Sequence, residues 1–211
     1  MIEISVHDVN GQQVGNLQVD EQALGGRVRP VLLKQAFVRQ HANQRQGSAA
    51  TRNRARVEGS TRKLGRQKGS GNARHGPDRA NLMRGGGMAH AKQPKSWRQR
   101  MPQKMRRLAN RNAVLAKAVD GQIKLVEGLS FDRPSTKRFS ELLTSLGIDR
   151  SCLVALPTTT GHEALSARNV TSVAVTRVDQ LNAYTLLNHR YLIADKSAFE
   201  AWIQGAAEEG R

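Results

Sequence analysis

Apolar and polar residues alternate at the start of the chain, and this alternation predicts two β-strands. Residues 2–7 and 13–19 each show the period of two that is typical of strands. Asn10-Gly11 lies between them and favours a tight hairpin turn. Pro30 then suits the first turn of a helix. The predicted core-facing positions of that helix are Val31, Leu32, Leu33, Ala36 and Phe37.

The chain after residue 101 alternates between helical and strand-like patterns. Pro102 is expected to open a helix that exposes Lys104, Arg107 and Arg111 on one side. The apolar side of this helix is predicted to comprise Met105, Leu108, Ala109, Ala116 and Val119. Strands are predicted at residues 123–126, 153–156, 172–176 and 191–194, with amphipathic helices between them.

Two helix-end signals accompany these strands. Gly147 is suited to the C-terminal end of the helix that contains Phe139. Ser197 and Glu200 have the spacing of a capping box at the start of the last helix. Repeated β–α units predict a mostly parallel sheet covered by helices. The expected fold class is therefore α/β, with one domain formed by residues 1–42 and 101–211.

Residues 43–100 interrupt this pattern. Their few large apolar residues follow neither a strand nor a helix period, and glycine recurs, including the run at 85–87. Such a stretch buries too little surface to offset the entropy lost on ordering. We therefore expect a long extended loop that becomes ordered on a partner. The alternative is a solvated basic linker, which the combination of arginines, three consecutive glycines and Trp97 disfavours.

The positive charge is concentrated in the same region. The chain has 34 lysines and arginines, 17 acidic residues and a formal net charge of +17. Residues 39–111 contain 20 of the basic residues and two acidic ones, Glu58 and Asp78, a net charge of +18. The remainder, with 14 basic and 15 acidic residues, has a net charge of −1. This asymmetry predicts a polyanionic partner for the segment, either nucleic acid or an anionic membrane surface.

The aromatic content refines this prediction. Aromatic residues make up 4% of the chain, too few for a protein that binds mainly by stacking on unpaired bases. Phosphate contacts are expected to dominate instead, and glycine would let the backbone approach RNA closely and adopt positive φ at bends.

Patterns that would indicate an enzyme are weak. Residues 65–71 superficially resemble a phosphate-binding loop, but they lack its Gly-Lys-Ser/Thr ending and a preceding apolar strand. Cys152 lies in an apolar run and is expected to be a buried thiol. His162 and Glu163 follow a predicted strand, where ligands often bind in α/β sheets, so an RNA-modifying enzyme with a basic RNA clamp is the alternative function. The simpler interpretation of this stretch is a helix cap.

No metal site or cofactor is predicted. A single cysteine allows neither an internal disulfide nor a cysteine-based zinc site, and the six histidines show no metal-ligand spacing. The first residues show no export or transit signal, and no segment has the roughly 20 apolar residues that cross a bilayer. The expectation is a soluble protein that is cytoplasmic or is made inside an organelle that translates.

Several separated motifs resemble the bacterial-type ribosomal protein L-four family of the large subunit. They are Ala42-Asn43-Gln44-Arg45-Gln46-Gly47-Ser48-Ala49, Arg66-Gln67-Lys68-Gly69-Ser70-Gly71, Ala73-Arg74-His75-Gly76, Arg84-Gly85-Gly86-Gly87, residues 102–109 and Leu181-Asn182-Ala183-Tyr184. The order of the motifs matches the family along nearly the whole chain. The chain departs from the family pattern at Leu64, Gly65, Asn72 and Met83, which predicts a less rigidly stacked loop tip.

The resemblance implies a non-enzymatic structural constituent of the large ribosomal subunit. Its body would be Rossmann-like, and its extended loop would bind large-subunit rRNA and line part of the nascent-peptide exit tunnel beside ribosomal protein L-twenty-two. The residues that would line the tunnel are Arg66, Gln67, Lys68, Gly69 and Ser70. The residues that would bind rRNA are Arg45, Arg54, Arg62, Lys63, Arg66, Lys68, Arg74, Arg79, Arg84, Arg106 and Arg107. Some family members also bind mRNA as repressors, and this sequence leaves that role open.

Overall fold

A β-hairpin begins the fold, as the alternation of residues predicted. In the computed structural model, which describes residues 1–208, β1 (Ile2–His7) pairs antiparallel with β2 (Gln13–Val19). Gly11 adopts a φ of +82° in the turn, where its N–H donates to the Asp8 carbonyl oxygen over 2.8 Å. This left-handed conformation explains why a glycine stands there. The end of the predicted domain, residues 209–211, lies outside the described residues.

The rest of the fold alternates helices and strands. The helices are α1 (Pro30–Asn43), α2 (Gln103–Val119), α3 (Thr136–Ser145), α4 (His162–Ala167), α5 (Ala183–Asn188) and α6 (Lys196–Glu208). The strands are β3 (Ile123–Val126), β4 (Cys152–Leu156), β5 (Val173–Arg177) and β6 (Tyr191–Asp195). The sheet order is β2-β1-β3-β6-β4-β5, and every neighbouring pair except β1–β2 is parallel. The predicted α/β class with a mostly parallel sheet is confirmed.

The sheet separates two hydrophobic clusters, which accounts for the apolar strands. In β6, Leu192 and Ala194 join the cluster that includes residues of α2, α5 and α6. Ile193 between them joins the cluster that includes residues of α3 and α4. Successive side chains point to opposite faces of a sheet, so a strand covered on both faces must be apolar throughout.

Two predicted core positions are wrong. Val31 of α1 is 72% exposed, and Val119 at the end of α2 is 62% exposed. The periodicity located both helices, but the buried arc depends on the neighbouring elements. Around α2 this arc is wide, because Asn112 and Lys117 are buried as well as the apolar residues beside them.

The predicted capping box of the last helix is also wrong. Strand β6 runs one residue further than predicted, and α6 begins at Lys196. Asp195 therefore occupies the capping position, where its Oδ2 accepts hydrogen bonds from the Ala198 N–H over 3.1 Å and from the Ser197 hydroxyl. A carboxylate at this point also interacts favourably with the helix dipole.

The thiol of Cys152 is fully buried in β4, as predicted. Burial raises the pKa of this thiol to about 11, because the thiolate would lose its hydration. The side chain therefore serves as a small core residue.

Lys117 is an unusual member of the interior, with 6% of its surface exposed. Its Nζ donates to the Arg190 carbonyl oxygen over 2.8 Å and to Gln122 Oε1 over 3.0 Å. Burial lowers the pKa of Lys117 from 10.5 to about 8; the nearby Asp120 carboxylate opposes this shift and Arg190 adds to it.

Lys117 predicts a specific dependence of stability on pH. Between pH 8 and 10.5 the unfolded chain holds the lysine proton while the folded chain releases it, so the free energy of unfolding rises with pH across this window. Across this window, the free energy of unfolding of the wild type should rise by up to about 3 kcal/mol more than that of Lys117→Met. Urea unfolding of both proteins at several pH values measures this difference. Parallel pH curves for the two proteins would contradict it.

Candidate nucleic-acid interface

The basic region forms a compact unit of its own, Ala42–Arg98, which we call the arm. The rest of the described chain, residues 1–41 and 99–208, is called the body. No helix or strand lies between Asn43 and Gln103, a stretch that the structure describes in full. The side chains of the arm are therefore carried by irregular backbone rather than by a helix or a strand.

Hydrogen bonds between its outgoing and returning halves give the arm its shape. The Lys95 N–H donates to the Gly47 carbonyl oxygen over 3.1 Å, and the Thr51 N–H donates to the Lys92 carbonyl oxygen over 2.9 Å. Further along, the Met88 N–H donates to the Arg52 carbonyl oxygen over 2.9 Å. The Leu64 N–H donates to the Gly76 carbonyl oxygen over 3.2 Å and delimits a tip at residues 65–75. The arm is thus a paired excursion of the chain.

Three glycines allow close approaches of the backbone within the arm. A Cβ on Gly87 would lie 2.1 Å from the Arg54 backbone nitrogen, and one on Gly47 would lie 2.1 Å from the Lys95 carbonyl oxygen. A Cβ on Gly86 would lie 1.9 Å from the Ala80 carbonyl oxygen. Real Cβ atoms do not approach backbone atoms so closely, so these glycines are required by the arm's own packing. The prediction of positive φ at bends is confirmed at Gly47, Gly69 and Gly85, whereas the predicted close approach of glycines to RNA stays a prediction.

Trp97 packs against two cations at the base of the arm. The Arg45 guanidinium carbon lies 3.6 Å from the ring centroid and the Lys95 Nζ lies 3.9 Å from it. Both distances are within the range of cation–π attraction. Guanidinium N–H groups point along the plane of the group, so an arginine that lies flat on an aromatic ring keeps them available to a phosphate.

The arm exposes its charge. Across residues 42–98, all of which the structure describes, only Gly87 is buried. None of the arm's lysines or arginines has a carboxylate within salt-bridge distance among the described residues. With 14 basic and two acidic residues, the arm carries a net charge of +12. It is a cationic surface without internal neutralisation.

The predicted rRNA-binding residues lie on two units. Ten of the eleven are exposed, and Arg79 is half-buried. Those on the arm are Arg45, Arg54, Arg62, Lys63, Arg66, Lys68, Arg74, Arg79 and Arg84, whereas Arg106 and Arg107 belong to α2 of the body. Selection by motif left out further exposed cations of the arm, which are Arg52, Arg56, Lys92, Lys95 and Arg98. Local charge density would have found them.

The predicted tunnel-lining residues occupy the tip. Arg66, Gln67, Lys68, Gly69 and Ser70 are all exposed. Gly69 has a φ of +87°, and a Cβ added there would meet no atom within 4 Å. This glycine therefore serves the bend of the backbone rather than a contact within the arm.

The residues of the rival enzymatic interpretation have structural partners. His162 Nδ1 lies 3.0 Å from the Phe131 carbonyl oxygen, and Glu163 Oε1 accepts from the Phe131 N–H over 3.3 Å. Both side chains thus hold the loop that contains Phe131. Within residues 1–208, no group of three or more His, Cys, Asp or Glu side chains is placed to hold a metal ion. Among the same residues, no helix has the length and apolar character needed to cross a membrane.

Comparison with known proteins extends this picture to the whole chain. The family model described as "Ribosomal protein L4/L1 family" matches residues 17–204. The large ribosomal subunit protein uL4 of Moorella thermoacetica is 39% identical over 198 residues, which cover 94% of this chain and 96% of the relative. The proteins of the same name from Dehalococcoides mccartyi (strain BAV1) and Rhodopirellula baltica are 37% and 36% identical, covering 93% and 95% of this chain and 94% and 90% of the relatives.

These matches span both the α/β body and the arm, at identities well above those at which only a fold is shared. They confirm the family resemblance on which the residue assignments were based. The family is one of ribosomal proteins, in agreement with the prediction that the chain is not an enzyme. The chain belongs to the ribosomal protein L4/L1 family.

Proposed function

We propose that this protein is a structural constituent of the large subunit of the cytoplasmic ribosome and that its arm binds large-subunit rRNA. The observation that carries this proposal is the arm itself, a +12 excursion with one buried residue and no carboxylate partner for its exposed cations among the described residues. Such a segment is stabilised in a dense polyanion, because each phosphate offsets the repulsion between the arm's charges.

Binding follows from the release of counterions. Each phosphate that a lysine or arginine neutralises frees condensed cations from the RNA, and the logarithm of the binding constant falls linearly with the logarithm of salt concentration. If about ten phosphates are neutralised on duplex-like RNA, the slope is about −9. Because the arm has few aromatic side chains, binding follows RNA shape, phosphates and 2′-hydroxyls more than base sequence.

The tip of the arm is proposed to line part of the nascent-peptide exit tunnel beside ribosomal protein L-twenty-two. Family membership and the exposure of Arg66, Lys68 and Ser70 support this assignment. The absence of close neighbours around Gly69 leaves the tip's surface open to RNA, to a neighbouring protein and to the nascent peptide.

A pair of charge-matched variants tests the role of the arm. One variant replaces five cations at and beside the tip with glutamine: Arg62, Lys63, Arg66, Lys68 and Arg74. The control replaces five exposed cations of the body: Lys34, Arg133, Lys137, Arg150 and Arg168. If the arm cations each neutralise one phosphate, the arm variant's salt slope should be shallower by about 4.5.

The measurement is binding to a large-subunit rRNA fragment over a range of salt concentrations. The body control should keep a slope close to that of the wild type, although its net charge changes by the same amount. Equal losses in both variants would show that binding depends only on net charge, and the arm would lose its assigned role.

A further inference from the structure

The body contains a small pocket whose polar lining includes two arginines and no carboxylate. It lies between α1, α2 and α5 and has a volume of about 210 Å³. Its polar lining residues are Arg39, Gln40, Arg106, Asn110, Asn182 and Tyr184. Two of these are guanidinium groups, and no carboxylate is among the lining residues. The pocket is therefore electropositive, and all of its lining residues belong to the body.

Arg39 lines this pocket and has an unfilled hydrogen-bonding position of its own. Its Nε is buried and has no hydrogen-bond partner in the described structure. Neither Arg39 nor Arg106 has a carboxylate within salt-bridge distance among the described residues. A buried guanidinium N–H without an acceptor is costly, and an oxyanion bound to the Arg39 guanidinium would offset that cost.

The pocket wall is formed by the fold before any ligand arrives. The Ala183 N–H donates to Asn110 Oδ1 over 3.0 Å, which ties the start of α5 to α2. Asn182 Oδ1 accepts from the Thr185 N–H over 2.9 Å and caps α5. The Tyr184 ring lies 4.9 Å from the Phe37 ring, measured between centroids, so α1 and α5 are packed together at this point.

We propose that this pocket binds one phosphate group through Arg39 and Arg106, and that in the ribosome the phosphate belongs to the rRNA backbone. The volume is below that of pockets that enclose whole drug-sized ligands, so a phosphate fits and a nucleotide does not. Guanidinium groups match phosphate oxygens in geometry as well as charge. The rRNA assignment rests on the proposed function.

Arg39 and Arg106 lie on either side of the arm along the chain, which suggests a role for this contact. Arg39 precedes the arm by three residues, and Arg106 follows it within the first turns of α2. A phosphate held by both would anchor the body where the chain enters and leaves the arm. Phosphate contacts fix the register of a protein on a nucleic acid, and a contact through two arginines would do this for the body.

Single substitutions in the full chain test the contact. Arg39→Gln and Arg106→Gln should each weaken rRNA binding roughly tenfold, as expected for loss of a charged hydrogen bond. Arg39→Lys keeps the charge but lacks the planar guanidinium group, so its rRNA affinity should fall almost as far as that of Arg39→Gln. The matched controls are Lys34→Gln on α1 and Lys104→Gln on α2, both exposed, which should change affinity less than about twofold. Thermal unfolding of each variant checks that the body remains folded.

Two further measurements identify the ligand. In phosphate-ethylation interference on the rRNA fragment, ethylation of one phosphate should weaken binding of the wild type. Ethylation of the same phosphate should have no effect on binding of Arg39→Gln. Nitrogen-15 NMR of the full chain should show the Arg39 Nε–H resonance, assigned by its loss in Arg39→Lys, shifting on addition of inorganic phosphate. Chloride at equal ionic strength should leave this resonance in place.

The outcomes separate the possibilities. One outcome is that the Arg39 Nε–H resonance shifts with inorganic phosphate while Arg39→Gln keeps the rRNA affinity and the interference pattern of the wild type. This outcome would overturn the rRNA assignment and leave a site for free phosphate. Neither a shift nor a selective loss of affinity would overturn the pocket as a phosphate site. Wild-type binding without a steep salt dependence would refute the proposed function of the arm, while the NMR shift would still report on the pocket.

Discussion

Deleting residues 52–97 is expected to leave a folded body that binds large-subunit rRNA at least about a thousandfold more weakly than the full chain at physiological salt. The deletion removes 12 of the 34 lysines and arginines. A protein with six to ten phosphate contacts owes a factor on the order of a thousand or more to counterion release, and the arm supplies most of the cations available for it. Filter binding or fluorescence anisotropy over a salt series measures the loss.

The body should survive this deletion because its interior is independent of the arm. Both hydrophobic clusters consist of residues outside 42–98. The two halves of the arm run side by side at its base, where the Lys95 N–H donates to the Gly47 carbonyl oxygen, so a short linker can join residues 51 and 98. A short Gly-Ser linker in place of the deleted residues controls for strain, and circular dichroism should show the helices and sheet retained. Undiminished rRNA affinity in the folded deletion protein would refute the phosphate-binding role of the arm.

Replacing Gly87 with alanine should disrupt the arm without a change of charge. The added Cβ would lie 2.1 Å from the backbone nitrogen of Arg54 and 2.4 Å from its Cα. Backbone atoms cannot relieve such a clash by a change of rotamer. The two halves must therefore separate, and the neighbouring hydrogen bond from the Met88 N–H to the Arg52 carbonyl oxygen should be lost. We expect rRNA affinity to fall about 10- to 100-fold, because the unpaired arm loses more conformational entropy on binding.

Gly76→Ala is the matched control for this change. Gly76 also lies in the returning half of the arm, but a Cβ there meets nothing within 4 Å and its φ is not positive. Amide hydrogen exchange should be faster at Met88 and Thr51 in Gly87→Ala and unchanged in Gly76→Ala. Wild-type affinity in Gly87→Ala would show that pairing within the arm does not contribute to binding.

Local sequence patterns were sufficient to predict the elements of the body. Strand β3 begins and ends where predicted, and β6 differs by one residue. Apolar runs and helix periodicity depend on residues close together in the chain, which is why they can be recognised without knowledge of the fold. The concentration of charge in residues 39–111 is likewise a property of the sequence alone, and it predicts a polyanionic partner.

The errors concern contacts between elements distant in the chain. Val31 and Val119 have the right spacing for a core, yet both are exposed, because the neighbours of each helix determine which arc is covered. The cap of α6 was assigned to Ser197, but the extra residue of β6 places Asp195 there. A shift of one residue at a strand end is enough to change which side chain meets the free N–H groups.

The amino-acid sequence by itself determined the α/β class, the interruption of the body by a cationic segment and the motifs of its family. Tertiary structure decided that Gly47 and Gly87 serve the pairing of the arm's two halves, and that Arg39 and Arg106 line one pocket. The physical reason is the distance along the chain over which each property acts. Periodicity and charge density depend on residues that are neighbours in the chain. The close approach of two backbone segments and the meeting of side chains in one pocket depend on which distant segments come together in the fold.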